Sequence, residues 1–160
     1  MAKPSRPRED GATFATNRKA RRDYAILEHY EAGIELRGTE IKSIRAHRVT
    51  LDDSFARIDG AELFLYNMHV SPYEHGGREN AEPVRPRKLL MHRRELERLR
   101  GVVSKRQFTL VPLRLYEKHG LAKVELAVAK GRRVFEKRSR IQERELQREL
   151  QRRLREQHRR

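Results

Sequence analysis

Two strand-like runs on either side of Asp59-Gly60 constrain the fold of this chain more than any other feature. Residues 54–58 (SFARI) and 62–70 (ELFLYNMHV) are rich in aromatic and aliphatic residues. Asp-Gly between such runs is a strong β-hairpin signal, because a type I′ turn needs positive φ at both central residues. Further strand-like runs occupy residues 24–30, 34–36, 107–117 and 121–129. The chain therefore contains about six strands, joined mostly by hairpins.

Two helices and one long loop interrupt the strands. The segment GTEIKSIRAH, residues 38–47, predicts a short helix capped by Thr39, and residues 88–100 predict a second helix that stops at Gly101. The Pro-rich and Gly-rich residues 71–87 between them predict a long loop. Pro112, inside the run 107–117, implies an edge strand or a bulge. This pattern predicts a mainly β fold with short helices: a small closed antiparallel β-barrel resembling the oligonucleotide-binding fold.

The positive charge is concentrated at the two ends of the chain. The net charge is +15, yet residues 1–22 hold seven Lys or Arg against two acids, and residues 132–160 hold twelve against five. We therefore divide the chain into a disordered basic arm (1–16), a barrel domain (17–131) and a basic tail (132–160). A nearly balanced body with two basic arms is typical of proteins that hold a phosphate backbone, although a membrane surface could attract the same arms.

The tail has a helical pattern but little to dock it on the body. No Gly or Pro follows Gly131, and Leu146, Leu150 and Leu154 are spaced by four residues. This apolar stripe is one residue wide, too narrow for firm packing. We expect a tail that is disordered in the free protein and becomes helical on a partner.

The sequence contains no recognisable catalytic constellation. It has no cysteine, no P-loop, no GxGxxG motif and no HExxH motif. His69, His75 and His92 lack metal-ligand spacing, and we interpret them as polar surface residues. We expect no enzymatic activity, no cofactor and no bound metal. No run of 18 apolar residues and no signal-peptide pattern is present, so we expect no membrane span and a cytoplasmic location.

Three basic clusters lie at the ends of predicted elements, where they favour contacts with phosphates. They are Arg18, Lys19, Arg21 and Arg22; Arg85, Arg87, Lys88, Arg93 and Arg94; and Lys130, Arg132 and Arg133. No helix is suited to reading a DNA major groove, so RNA is the favoured ligand. Two alternatives remain open at this point: a ribosomal or ribosome-assembly protein, and a metal-dependent nuclease.

Several strings together resemble the SmpB family. GTE-x-KS, SPYE, RPRKLL, LVPL and AKGRR occur in order between residues 17 and 138. The resemblance implies an oligonucleotide-binding-like barrel, acting as a monomer, that binds the tRNA-like domain of transfer-messenger RNA. It also implies delivery of that RNA to the A site of a stalled 70S ribosome, where the tail contacts ribosomal RNA and becomes helical in the empty mRNA channel. Translation then resumes on the tag-coding frame of the RNA, and the protein itself catalyses nothing.

The resemblance also implies roles for individual residues. The expected RNA-binding residues are Asn17, Arg18, Lys19, Arg21, Glu31, Lys42, Ser43, Arg87, Lys88, Leu90, Lys123, Lys130, Gly131 and Arg132. The expected contacts of the tail with the decoding centre and channel are Phe135, Glu136, Lys137, Arg138, Arg140 and Arg144. For Glu31, the alternative is a structural acid at a strand end that orients a neighbouring arginine, and for Leu90 the alternative is a core position.

Two positions depart from the family pattern. His47 stands where the family has glycine, so a turn that needs positive φ would be strained here. Glu136 replaces an aspartate, which keeps the charge and adds one methylene. We expect both changes to preserve function.

Overall fold

A computed structural model of the chain describes residues 11–105 and 107–158, including all side chains in these ranges except those of residues 133–140. The described chain forms two compact units, one up to residue 130 and one from residue 131 onward.

The first unit contains short strands and three short helices. The strands are β1 (Thr13–Thr16), β2 (Tyr24–Ile34), β3 (Val49–Thr50), β4 (Phe55–Asp59), β5 (Glu62–Tyr66), β6 (His69–Val70), β7 (Arg87–Leu90), β8 (Thr109–Lys118) and β9 (Leu121–Gly131). The helices are α1 (Arg18–Asp23), α2 (Gly38–Arg45) and α3 (Arg93–Val103), with a 3₁₀ turn at Gly77–Glu79. The second unit is the helix α4 (Arg132–His158), which follows the end of β9.

Six strands form a closed ring. Their order is β8-β4-β5-β7-β2-β9, and β9 closes the ring by pairing with β8 from Leu121 to Ala129. Strand β4 pairs with β8 through Ala56 and Leu110. Strand β1 pairs with the same edge of β8 further along, at Arg114–Tyr116. Strands β3 and β6 form a separate two-stranded sheet. This ring confirms the predicted mainly β architecture and its closed antiparallel sheet.

The core lies inside the ring because alternate strand residues point inward. Ala56, Leu63 and Leu65 are buried along the β4–β5 hairpin, whereas their neighbours are more exposed. Helix α3 adds Leu99, which is fully buried, and α2 adds Ile44. Each fully buried leucine or isoleucine contributes about 1.5–3 kcal/mol relative to an exposed one.

The predicted hairpin is present, but its turn is of a different type. Asp59 pairs with Glu62, so Gly60 and Ala61 form the two-residue loop. Of these two, only Gly60 has positive φ, at 63°. Glycine with positive φ at the first central position belongs to a type II′ turn rather than the predicted type I′.

The predicted disordered arm was wrong for its last residues. Thr13–Thr16 form β1, and Thr16 pairs with Arg114 of β8. Phe14 packs on the core, so this segment gains both backbone hydrogen bonds and burial. Residues 1–10, the rest of the predicted arm, lie outside the described residues.

The two predicted helices begin at different residues from those expected. Residues 87–90 form β7, because Leu89 pairs with both Leu63 and Ile34 and is buried. Helix α3 therefore begins at Arg93 and continues past Gly101 to Val103. Helix α2 begins after Arg37, so Thr39 lies inside it rather than capping it.

Two local expectations about strained or irregular backbone are confirmed. The register of β8 against β9 shifts between Pro112 and Arg114, which places a bulge at the predicted proline. His47 has a positive φ of 59° where the family has glycine. Its ring nitrogen lies 3.2 Å from the carbonyl oxygen of Phe14, a contact that glycine could not make.

The tail differs from the expectation of disorder in the free protein, since residues 132–158 form one helix. Every side chain from 141 to 158 is exposed, and Glu149 accepts a hydrogen bond from Arg153 at 2.9 Å. The absence of Gly and Pro and such i,i+4 pairs explain the helix. Over residues 141–158 no buried side chain supports it, so we predict that it is marginally stable.

Candidate nucleic-acid interface

A cleft of about 390 Å³ opens on the first unit, between α2 and the strands β2, β7, β8 and β9. Gly33 of β2 pairs with Leu90 of β7 at its edge. Leu90 is 47% exposed, which excludes the alternative that it is a core residue. The cleft is lined by Phe14, Gly33, Ile34, Glu35, Leu36, Ile41, Ile44, Arg45, Leu90, Glu117, Gly120, Leu121, Ala122 and Lys123.

The chemistry of this cleft suits a base or ribose more than a row of phosphates. Its apolar surface is flanked by both signs of charge, with Arg45 and Lys123 against Glu35 and Glu117. Apolar surface can pack on a base, and carboxylates can accept hydrogen bonds from base amino groups or from a 2′-hydroxyl. The cleft therefore has the chemistry to recognise an unpaired nucleotide.

Glu31 is part of a hydrogen-bonded cluster on β2 and β8. Its carboxylate accepts hydrogen bonds from the Tyr116 hydroxyl and from Lys118 Nζ, the latter at 3.1 Å. Lys123, a cleft residue, is the register partner of Tyr116. Burial alone would raise the pKa of the Glu31 carboxyl, but these hydrogen bonds and the charges of Lys118 and Lys123 outweigh burial and lower it. Glu31 is therefore ionised at neutral pH and orients Lys118, a lysine, whereas the alternative of an orienting acid named an arginine.

Asn17 does not present its side chain to a ligand, which corrects its predicted role. It is 2% exposed, and its Oδ1 caps α1 by accepting the backbone N–H of Ala20 at 3.0 Å. Its Nδ2 donates to the carbonyl oxygens of Pro112 and Leu51. Asn17 therefore fixes α1 on the ring of strands, a structural role that its position before a basic helix did not reveal.

The basic residues of α1 differ in how they are held. Arg18 and Arg21 are exposed, as a phosphate contact requires. Lys19 Nζ lies 2.6 Å from Asp53 Oδ1, in a pair that is largely exposed. Such surface pairs contribute about 0–1 kcal/mol, so a phosphate could replace Asp53 at small cost.

Helix α2 presents Lys42 to solvent and buries Ser43, which corrects the role predicted for Ser43. Ser43 and Ile44 are each 1% exposed, because this side of the helix faces the interior. The carboxylate of Glu40, also buried, accepts the backbone N–H of Arg37 at the start of the helix. Only the outer side of α2 can contact RNA.

Arg87 is fully buried, so its predicted contact with RNA is also wrong. Its Nε donates to Glu40 Oε2 at 2.6 Å, and its Nη1 donates to the carbonyl oxygen of Met68 at 2.7 Å. Arg85 also donates to Glu40. A buried charge must be paired and hydrogen-bonded, and this network provides both. Lys88, the next residue, is instead part-exposed and lies 3.0 Å from Glu62.

The end of β9 and the tail contribute further predicted residues. Gly131 is exposed, and apart from Gly131 itself and its chain neighbours no atom of the described residues lies within 4 Å of the position that a Cβ would take. Lys130 and Arg132 are partly exposed, and Arg144 is exposed on α4. The predicted decoding-centre residues Phe135, Glu136, Lys137 and Arg138, together with Arg140, lie outside the described side chains.

Three residues at this surface were not among the predicted RNA-binding residues. Tyr116 and Lys118 donate hydrogen bonds to Glu31, and Arg45 lines the cleft. Tyr116 and Lys118 alternate on β8, and this period-2 spacing was the only local signal for them. Arg45 follows Ile41 by four residues on α2, and both line the cleft. The sequence does not show how β2 pairs with the other strands, and it is this pairing that brings Glu31 close to Lys118.

Among the described residues, no three His, Asp or Glu side chains are grouped so that they could hold a metal ion. In the same part of the chain, no helix is both long enough and apolar enough to cross a membrane.

Comparison with known proteins gives consistent results. A family model described as "SmpB protein" matches residues 14–156. An SsrA-binding protein of Geobacillus thermodenitrificans is 54% identical over 150 residues, which cover 94% of this chain and 97% of that protein. One from Carboxydothermus hydrogenoformans is 60% identical over 132 residues, covering 82% and 89%. A solved structure described as "tmRNA-SmpB: a journey to the center of the bacterial ribosome" superposes with a TM-score of 0.63 at 52% identity, covering 74% of this chain and 83% of that one.

Proposed function

Because this chain belongs to the SmpB family, we propose that it binds the tRNA-like domain of transfer-messenger RNA and delivers that RNA to the A site of stalled ribosomes. The names of its relatives and the ribosome-bound structure that it resembles support this function. In this account the chain acts by binding and catalyses no reaction. Its partners, transfer-messenger RNA and the 70S ribosome, would place it in the cytoplasm, acting as a monomer.

One observation carries the proposal. Leu90 and Lys123, two residues with expected RNA contacts, line a single cleft although they are 33 positions apart in the chain. Glu31 lies two residues before Gly33, which is also in the cleft lining, and its carboxylate holds Lys118. Folding thus collects apolar and charged groups from three distant segments. Such a convergence in a surface cleft is what specific recognition of a splayed nucleotide requires.

Exposed cations outside the cleft supply the non-specific part of the binding. Arg18 and Arg21 on α1 and Lys42 on α2 are all exposed. Phosphate contacts of this kind position an RNA without reading its sequence, and they weaken as salt rises. The cleft then provides the selectivity that remains at high salt.

After RNA binding, the next step takes place on the ribosome, and we assign it to the tail. We propose that Phe135, Glu136, Lys137 and Arg138 act at the decoding centre and that the rest of α4, including Arg140 and Arg144, enters the empty mRNA channel. The excess of basic residues in 132–160 suits a channel lined by RNA phosphates. A helix that has exposed side chains throughout 141–158 is available to a partner over that whole length.

Replacement of a cleft residue tests the proposal. Leu90→Ala should weaken binding of the tRNA-like domain about tenfold, because it removes apolar contact worth about 1.5 kcal/mol. Leu27→Ala is the matched control, since Leu27 is 50% exposed, similar to Leu90, and is not a lining residue of the cleft. Equal effects of the two substitutions, or no effect of Leu90→Ala, would contradict the assignment of the cleft to RNA.

A further inference from the structure

The loop between β6 and β7 packs an aromatic ring against α2, outside the cleft. Lys42 Nζ lies 5.1 Å from the centre of the Tyr73 ring, within the range of a cation–π interaction. The His75 ring meets Tyr73 edge-on, with the two ring centres 5.5 Å apart at 74°. We call Lys42, Arg48, Tyr73 and His75 the α2–loop patch.

The loop is held in a fixed conformation, so the position of Tyr73 is defined. Asn80 Oδ1 accepts the backbone N–H of Tyr73, and Asn80 Nδ2 donates to the carbonyl oxygen of Tyr73, both at 3.0 Å. Any side chain at Gly76 would collide with Asn80. At the far end, the carbonyl oxygen of Glu79 accepts a hydrogen bond from Thr39 of α2. The ring is thus anchored to the helix that carries Lys42.

Contact with the Tyr73 ring holds the ammonium group of Lys42 at a defined position on the surface. A lysine side chain normally loses rotamer freedom when it is ordered, and contact with a fixed ring restrains it before a ligand arrives. Arg48, which follows the end of α2, is also exposed, and its Nη2 lies 2.9 Å from Glu74 in the same loop as Tyr73. Arg45, three residues after Lys42 on α2, is exposed and lines the cleft. The patch is therefore continuous with the cleft along one short helix.

We infer that the α2–loop patch binds a phosphate of the RNA, with Lys42 making the contact and Tyr73 acting as its positioning residue. This extends the RNA-binding surface from the cleft, across α2, to residues 71–80, and it rests on the proposed function. An RNA is the favoured occupant because Lys42 is exposed with its charge held over the Tyr73 ring, and because α2 also lines a cleft suited to a nucleotide.

The test is a double-mutant cycle on the full chain, with the transcribed tRNA-like domain of transfer-messenger RNA as the probe. Tyr73→Leu should weaken binding about 2- to 5-fold, the size of a cation–π contact, whereas Tyr73→Phe keeps the ring face and should bind as the wild type does. Lys42→Ala should weaken binding and lower the slope of log affinity against log salt by about one contact. The double variant should bind no more weakly than Lys42→Ala alone, because Tyr73 acts through Lys42.

Lys105→Ala is the control, since it removes the same charge from an exposed position after α3 and should leave the salt slope unchanged. Additive losses in the double variant, or a loss in Tyr73→Phe equal to that in Tyr73→Leu, would overturn the positioning role. An unchanged affinity and salt slope in Lys42→Ala would overturn the phosphate site while leaving the proposed function intact. Failure of the wild-type chain to bind the probe would instead refute the proposed function.

Discussion

Replacing Glu40 with glutamine should destabilise the protein by about 3–5 kcal/mol, because the buried Arg87 guanidinium loses its counter-ion. Glu40 is 3% exposed and Arg87 is 0% exposed, and their charged groups are 2.6 Å apart. A loss of this size should lower the midpoint of thermal unfolding by about 6 °C or more in a chain of this length. Circular dichroism at increasing temperature, or chemical denaturation, measures the effect.

The matched control is Glu62→Gln. Glu62 pairs with Lys88, the residue next to Arg87, at 3.0 Å, but the two side chains are 50% and 35% exposed. An exposed pair of this kind contributes about 0–1 kcal/mol. If Glu40→Gln destabilised the chain no more than Glu62→Gln does, the buried pair would not be what anchors α2 to β7.

The same pair predicts a pH dependence of stability. Burial raises the pKa of the Glu40 carboxyl, but hydrogen bonds from Arg85, the Arg37 backbone and Arg87 outweigh it and hold the pKa below its usual value of 4.5. A carboxyl with a lowered pKa in the folded state stabilises the protein fully above its unfolded-state pKa. That contribution is lost as the pH falls from about 4.5 through the lower folded-state value. Glu40→Gln should therefore show a shallower loss of stability over this acidic range than the wild type.

Three further predictions concern the RNA-binding surface and the tail. Glu31→Ala should weaken binding of the tRNA-like domain severalfold with the fold intact, because Lys118 and Tyr116 lose their acceptor; unchanged affinity in a binding titration would count against this role. Truncation after Arg133 should preserve RNA binding and abolish peptide tagging on stalled ribosomes, and tagging by the truncated chain would refute the role of the tail. Amide hydrogen exchange should show weak protection over residues 141–158, where every side chain is exposed, and strong protection throughout that range would contradict a marginal helix.

Strands β2, β4, β5, β8 and β9 could be predicted from the sequence because their signals are local. The β4–β5 hairpin follows from period-2 alternation and from Asp59-Gly60, and both need only neighbouring residues. The bulge at Pro112 follows from its missing N–H. The glycine position occupied by His47 required positive φ for the same kind of local reason.

Strand β7 could not be predicted in this way. The leucine spacing after residue 88 is compatible with a helix, and the segment becomes a strand only because β5 and β2 lie on either side of it. The strand pairing that buries Leu89 and makes this segment a strand comes from residues 26 and 55 positions away in the chain. Tertiary pairing of this kind outweighs a weak local preference.

The candidate site was predicted in part, and its errors share one cause. Leu90 and Lys123 do line one cleft, whereas Asn17, Ser43 and Arg87 are buried. Polar residue types are usually exposed, so a sequence does not show which arginine or asparagine has the partners that allow burial. Here Glu40 makes Arg87 an interior residue, while Lys88 beside it stays at the surface.

Specific RNA recognition is tested most directly by measuring the affinity of the full chain for the tRNA-like domain of transfer-messenger RNA and for an ordinary tRNA, over a series of salt concentrations. Phosphate contacts weaken with salt for both RNAs, whereas contacts in the cleft persist. We predict a preference for the tRNA-like domain that survives at high salt. Equal binding of the two RNAs, lost together as salt rises, would contradict it and would indicate a basic protein that binds RNA without selectivity.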